Sequence, residues 1–202
     1  MSSADVNVMT DYYGIEMKKI ITILFMLFIS TNVNAESFFD NTIIGVSFIS
    51  QSVDIEVTGP GSIGLGSDTG SGFGIYLDKY YKQKYRFNST LSFISYDAFD
   101  ITQLMVSADY LFPLNPQVSL FSGASLGAAA QKYTDSSVTD SAVGAVYGVQ
   151  AGAIVFINDN LMLEAGYRLR PTSIETNIAS SLGTVSTIDD LSEVYISLLL
   201  MF

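Results

Sequence analysis

Between Glu193 and Phe202 every second residue is apolar: Val194, Ile196, Leu198, Leu200 and Phe202. Successive side chains on a β-strand point to opposite faces, so this parity makes one unbroken greasy face. The same period of two returns in seven earlier segments, and no stretch of the chain sustains a helical period. Phe73, Ile75 and Leu77 oppose Gly72, Gly74, Tyr76 and Asp78. Tyr85, Phe87, Leu91 and Phe93 oppose Arg86, Asn88, Thr90 and Ser92. Leu104, Val106, Ala108, Tyr110 and Phe112 oppose Gln103, Ser107 and Asp109. A fifth segment, from about Val118 to Gln131, is rich in Gly, Ala and Ser. Tyr147, Val149, Ala151, Ala153 and Val155 then oppose Gly148, Gln150 and Gly152. Leu161, Leu163, Ala165, Tyr167 and Leu169 oppose Glu164, Gly166, Arg168 and Arg170. The first segment, near Thr42, is the least regular. Ile44, Val46 and Phe48 share one parity and Val53, Ile55 and Val57 the other, which predicts a bulge at Ser50 to Ser52.

Eight such segments exclude an open sheet in either solvent. The greasy rows are too continuous for water, and in hydrocarbon an open edge leaves backbone N–H and C=O groups without partners. A closed barrel answers both demands, with the apolar rows on lipid and the mixed rows inside. A soluble eight-stranded barrel with the opposite polarity is the competing architecture. The opposing rows disfavour it, because they hold a few charges among many small residues, which suits a narrow lumen. Short connections follow the second, fourth and sixth segments, at Tyr80 to Gln83, Leu114 to Pro116 and Asn158 to Asn160. Longer ones are expected at Thr58 to Asp68, Tyr133 to Ser141 and Thr172 to Thr187. Short turns at one end and longer loops at the other are the habit of transmembrane barrels, with the short turns in the periplasm. Tyr80, Tyr81, Tyr85, Tyr110, Phe112, Phe156 and Phe202 fall near the short-turn end, and Phe93 and Tyr147 near the other. These two groups are read as interfacial girdles.

The N-terminal region reads as an export leader. Met17-Lys18-Lys19 is a basic start, Ile20 to Ile29 an apolar run too short to span a bilayer, and Val33-Asn34-Ala35 a cleavage site. Three segments are therefore expected. Residues 1–16 are a disordered or non-native extension, with translation starting at Met17; 17–35 are the signal peptide; 36–202 are the barrel. The full chain of 202 residues has a net charge of −11; the mature part keeps 7 basic and 17 acidic residues, a net charge of −10. That balance speaks against nucleic acid as a partner.

The fold class expected is thus all-β, an eight-stranded, antiparallel, up-and-down transmembrane barrel. Tyr110-Leu-Phe-Pro113, Gly123-Ala-Ser-Leu-Gly127 and Ala165-Gly-Tyr-Arg168 resemble strand phrases of the small eight-stranded outer-membrane barrels of the OmpA, OmpX and opacity-protein types. The end of the chain resembles the C-terminal signal by which bacterial barrels are recognised for assembly. Phe202 is its terminal aromatic, Leu200 its apolar residue two positions earlier and Tyr195 its upstream aromatic; Ser197 stands where glycine is frequent. The resemblance implies a Gram-negative outer membrane as location. It also implies outer-membrane lipid, lipopolysaccharide and the barrel-assembly machinery as partners, with host or cell-surface molecules as further candidates. Family members serve as structural barrels, adhesins and host-interaction factors, and a narrow pore for small solutes is the alternative role.

Chemistry is sparse. The chain has no cysteine and no histidine, which removes thiolate sites, the usual general base and a common metal ligand. The lipid-modifying and proteolytic outer-membrane barrels rely on a histidine. No enzyme activity, cofactor or dedicated metal site is expected. The Gly-rich run Gly61 to Gly74 lacks the lysine and following helix of a phosphate loop and reads as a flexible loop entering a strand. The candidate site is a lumen polar network of Asp78, Arg86, Asp109, Glu164, Arg168 and Glu193. Arg168 and Glu193 lie at matching heights on neighbouring strands, and Asp78 and Arg86 flank the first short turn. In a lumen just wide enough for side chains, such charges must pair, which predicts a plug rather than a path. The acidic residues of the outer connections suit divalent ions bridging to lipopolysaccharide phosphates.

Overall fold

In the computed structural model, residues 42–59, 62–82, 84–135, 138–179 and 184–202 are described. The expected leader and extension lie outside them, as do residues 36–41 of the expected mature chain. The strands are β1 Thr42–Gly59, β2 Ser62–Tyr81, β3 Tyr85–Ser95, β4 Phe99–Asn115, β5 Val118–Asp135, β6 Val138–Phe156, β7 Leu161–Ala179 and β8 Thr184–Met201. Each pairs antiparallel with the next. β8 returns to β1 from Ile43–Met201 to Thr58–Val185, so the sheet closes without an edge.

The turns at one end are tight for chemical reasons. Asn115 Oδ1 accepts from the backbone N–H groups of Gln117 and Val118, both at 2.8 Å. Asn158 Oδ1 accepts from those of Asn160 and Leu161, both at 2.9 Å. Such side-chain mimicry of a backbone turn is why Asn serves there. After β2, Lys82 takes a left-handed φ of 52°, and the Lys84 N–H reaches the Tyr81 carbonyl at 3.3 Å.

The apolar rows face outward, including Phe48, Phe73, Phe87, Val149, Leu169 and Ile196, and the mixed rows face the lumen. A tilted strand crosses the hydrocarbon in about 9–11 residues. β3, with 11 residues, matches that height, while the other strands have 17 to 20 and project beyond it. The three longer connections are therefore not loops for most of their length. Above the bilayer β7, β8, β1 and β2 continue as one four-stranded sheet, and β5 and β6 continue as a hairpin up to Asp135–Val138. The glycine-rich run expected as a flexible loop lies largely within β2, paired to β1 as far as Gly59–Ser62. The β6–β7 ladder is the exception. It is unbroken from Phe156–Met162 to Val149–Leu169, resumes at Val146–Thr172, and goes no further among the described residues. Pro171 sits in the gap, and proline has no N–H to give a ladder.

Two expectations need correction. β1 has no bulge at Ser50 to Ser52: its register with β2 is continuous, and Ile43, Ser47, Ile49, Gln51 and Val53 all face the lumen. The bulge is on β8, where Asp189 is the extra residue between Asp54–Asp190 and Ile55–Ile188. It brings Ile188 and Leu191, of unlike parity, to the same inner face. The apolar residues of β1 change face because the outer part of the lumen is itself apolar. Finally, Tyr80 and Phe156 do not join the lipid girdle. Both turn inward against the core, with Tyr80 Oη 3.8 Å from Met162 Sδ.

Candidate functional site

The inward rows sort by height into three layers. Nearest the short turns lie Ile43, Leu111, Phe121, Ile154, Met162 and Leu199. Toward the outer end lie Val53, Ile94, Ile101, Met105, Val146, Ile174, Ile188 and Leu191. Between them runs a belt of charged and polar side chains, nearly all fully buried.

The lower half of the belt centres on Arg86, near the start of β3. Its Nε and Nη2 donate to Asp109 Oδ2 on β4 at 3.0 and 2.8 Å. Its Nη1 meets Glu164 Oε2 across the lumen on β7 and lies 3.6 Å from Asp78 Oδ2 on β2. The guanidinium also stacks over the Phe121 ring, 4.6 Å from its centroid. Neutral donors add to these contacts, though Asp78 Oδ2 has no hydrogen bond beyond its ion-pair contact with Arg86. Asn88 donates to Asp78 Oδ1, Gln150 Nε2 donates to Asp109 Oδ1 at 2.7 Å, and the Tyr195 hydroxyl donates to Glu164 Oε1 at 2.6 Å.

The upper half centres on Glu193 of β8. Arg168, its direct partner across the β7–β8 ladder, donates to Oε1 at 2.5 Å. Arg170 and Gln51 donate to Oε2 at 3.2 and 3.0 Å. Arg168 also donates to the Tyr76 hydroxyl at 2.7 Å. Arg170 donates to Gln103 Oε1 at 2.9 Å, and Gln51 Oε1 accepts from Gln103 and from the Tyr96 hydroxyl. The two halves meet at Tyr195, whose hydroxyl serves Glu164 while Arg168 lies 3.7 Å from its ring centroid. The belt thus holds three guanidiniums and four carboxylates, each carboxylate within reach of a cation. Charges this far from water persist only when paired and hydrogen-bonded.

All six residues named from the sequence as the lumen network lie in this belt: Asp78, Arg86, Asp109 and Glu164 in its lower half, Arg168 and Glu193 in its upper half. Sequence reasoning left out Arg170, which shares Glu193, and Gln51, which joins Glu193 to Gln103 and Tyr96. The inward parity of Arg170 was there to be read; Gln51 was hidden by the supposed change of face in β1. Of the three residues assigned to the assembly signal, Leu200 and Phe202 point outward. Tyr195 points into the lumen as part of the belt.

Chemically, the arrangement is a set of paired charges, with one carboxylate in excess of the guanidiniums, between two apolar layers. It fills the barrel with side chains of its own.

A family model for the outer membrane protein beta-barrel domain matches residues 21–202. No curated protein sequence matches the chain. Among solved structures, it is similar to the Neisserial surface protein A, NspA, with 17% identity and a TM-score of 0.58, covering 78% of this chain and 97% of that one. It is likewise similar to outer membrane protein H, OprH, from Pseudomonas aeruginosa, with 21% identity and a TM-score of 0.54, covering 80% and 99%. At such identities the likeness speaks for the fold alone. With a family model covering most of its length and the closed eight-stranded architecture that goes with it, this chain belongs to the outer membrane protein beta-barrel domain family, and the bilayer it crosses is the bacterial outer membrane.

Proposed function

We propose that the protein is a non-enzymatic, non-conducting surface barrel. In this reading the embedded part is a mount, and the sheet and hairpin that project beyond the bilayer make the contacts. The observation that carries it is the belt: Arg86, Arg168 and Arg170 with their four carboxylates, closed above and below by apolar layers, occupy the space that a solute would need. The projecting end is strongly acidic by sequence. Asp54, Glu56, Asp68, Asp97, Asp100, Asp135, Asp140, Glu175, Asp189 and Asp190 face only Lys132 in the corresponding segments. Such a surface meets lipopolysaccharide phosphates through bridging divalent cations, and it suits cationic rather than anionic host surfaces.

The test is conductance of the refolded mature chain in a planar bilayer. No steady channel is expected, and lipopolysaccharide should co-purify with the protein in magnesium and be released by a chelator. Well-defined, long-lived channels would sink the closed-barrel reading in favour of a pore. Lipopolysaccharide retention indifferent to chelator would remove the cation bridge.

A further inference from the structure

The three turns at the periplasmic end differ sharply in charge. The β4–β5 turn offers Asn115, Pro116 and Gln117, and the β6–β7 turn Asn158, Asp159 and Asn160. The β2–β3 connection carries Lys79, Lys82 and Lys84 within six residues, and no acidic residue between them. Lys82 and Lys84 are exposed. This cationic turn sits on an aromatic surface. Tyr81, Tyr85, Tyr110 and Phe112 are all exposed on the outer wall beside it. Tyr85 and Tyr110 meet edge to face at 5.5 Å, Tyr110 and Phe112 at 4.7 Å, and the Lys82 ammonium lies 5.1 Å from the Tyr81 ring centroid.

Tyrosine rings on the lipid face settle at headgroup depth, where one end of the ring is apolar and the other wet. They therefore fix the height of the lysines beside them. Lysine stems run along apolar surface and carry the ammonium outward to the phosphate layer. The turn is held there by backbone bonds: the Leu111 N–H donates to the Lys84 carbonyl at 2.8 Å, tying the turn to β4. We propose that the β2–β3 turn, with Tyr81, Tyr85 and Tyr110, is a docking site for anionic glycerophospholipid headgroups of the periplasmic leaflet. The ammonium groups of Lys82 and Lys84 meet the phosphate, and the tyrosines pack against the glycerol and upper acyl region. The site anchors the barrel on one side only, because the other two turns offer the leaflet no cation.

The full mature chain, reconstituted in nanodiscs of equal phosphatidylcholine and phosphatidylglycerol, is released into a mass spectrometer under native conditions. The retained lipids are then counted. The wild type is expected to keep phosphatidylglycerol in excess. Lys82→Asn, chosen because asparagine tolerates the left-handed φ, combined with Lys84→Gln should lower that excess by roughly fivefold for each lysine. Lys84→Gln alone should give part of the loss and guards against a misfolded double variant, while Lys132→Gln at the opposite end should leave the ratio unchanged. Equal retention of the two lipids by the wild type overturns the proposal, as does an excess that survives in the double variant. So does a wild type that shows no lipid preference but sediments with peptidoglycan through the same lysines, since the patch would then serve a polymer.

Discussion

Glu193 accepts from two guanidiniums and an amide, whereas Arg168 has Glu193, Tyr76 and the ring of Tyr195. The two partners of this ion pair are therefore not equivalent. Glu193→Gln leaves Arg168 and Arg170 buried without a carboxylate and should cost about 3–5 kcal/mol. Arg168→Met leaves Glu193 with Arg170 and Gln51, so its cost should stay near that of one charged hydrogen bond, about 1.5–3 kcal/mol. Urea unfolding in liposomes gives both values, and a costlier Arg168→Met would mean that Arg170 does not share the carboxylate. How much of this belt the sequence discloses depends on direction. Pairs along a ladder, such as Arg168 with Glu193, follow from parity and height alone. The meeting of Arg86 with Glu164 joins β3 to β7 across the lumen, and no linear pattern encodes the cross-section of a barrel. Gln150 shows the same limit. Its parity reads as inward and tolerant, yet its amide donates to Asp109 at 2.7 Å, so Gln150→Glu would set two carboxylates together.

At the level of single strands, β6 offers a ruler for the membrane. Val149 and Val143 share the outward face and are each 58% exposed, but Val143 lies above the last β6–β7 pair and Val149 below it. Val149→Arg should cost about 2–4 kcal/mol and Val143→Arg about 0–1 kcal/mol, because the penalty for a charge on the outer wall falls with distance from the midplane. Unfolding titrations of the two variants in the same liposomes compare them, and equal costs would place Val143 within the hydrocarbon. The strand cores were legible in the sequence because lipid on one side and a packed lumen on the other impose strict alternation. The projecting halves of β1, β2, β7 and β8 were not. Beyond the bilayer a strand has no lipid face, so Gly, Ser, Thr and Asp replace the apolar row while the backbone ladder runs on. A pattern-based reading turns such strands into loops.

For the whole molecule, closure is what makes the architecture possible, yet the joints of the ring are unequal. The β1–β8 joint, which brings together the first and last strands, is laddered from Ile43–Met201 to Thr58–Val185. The β6–β7 joint gives out at Val146–Thr172, just past Pro171. In an antiparallel strand alternate residues direct their N–H groups to opposite neighbours. From Val138 to Ala145, one set of amides therefore faces β5, while among the described residues the ladder to β7 does not extend along the other set. Hydrogen exchange on the folded protein in liposomes should find about half the amides of that segment fast and half slow. The matching lengths of β1 and β8 should stay protected throughout, and full protection of Val138 to Ala145 would mean that the joint is closed. The seam that must form between the two ends of the strand series carries a long ladder, and the seam with the shortest ladder lies inside the series. Making and unmaking this barrel are thus different journeys: the ring is completed at β1 and β8, whereas opening is expected first between β6 and β7, where the ladder is shortest.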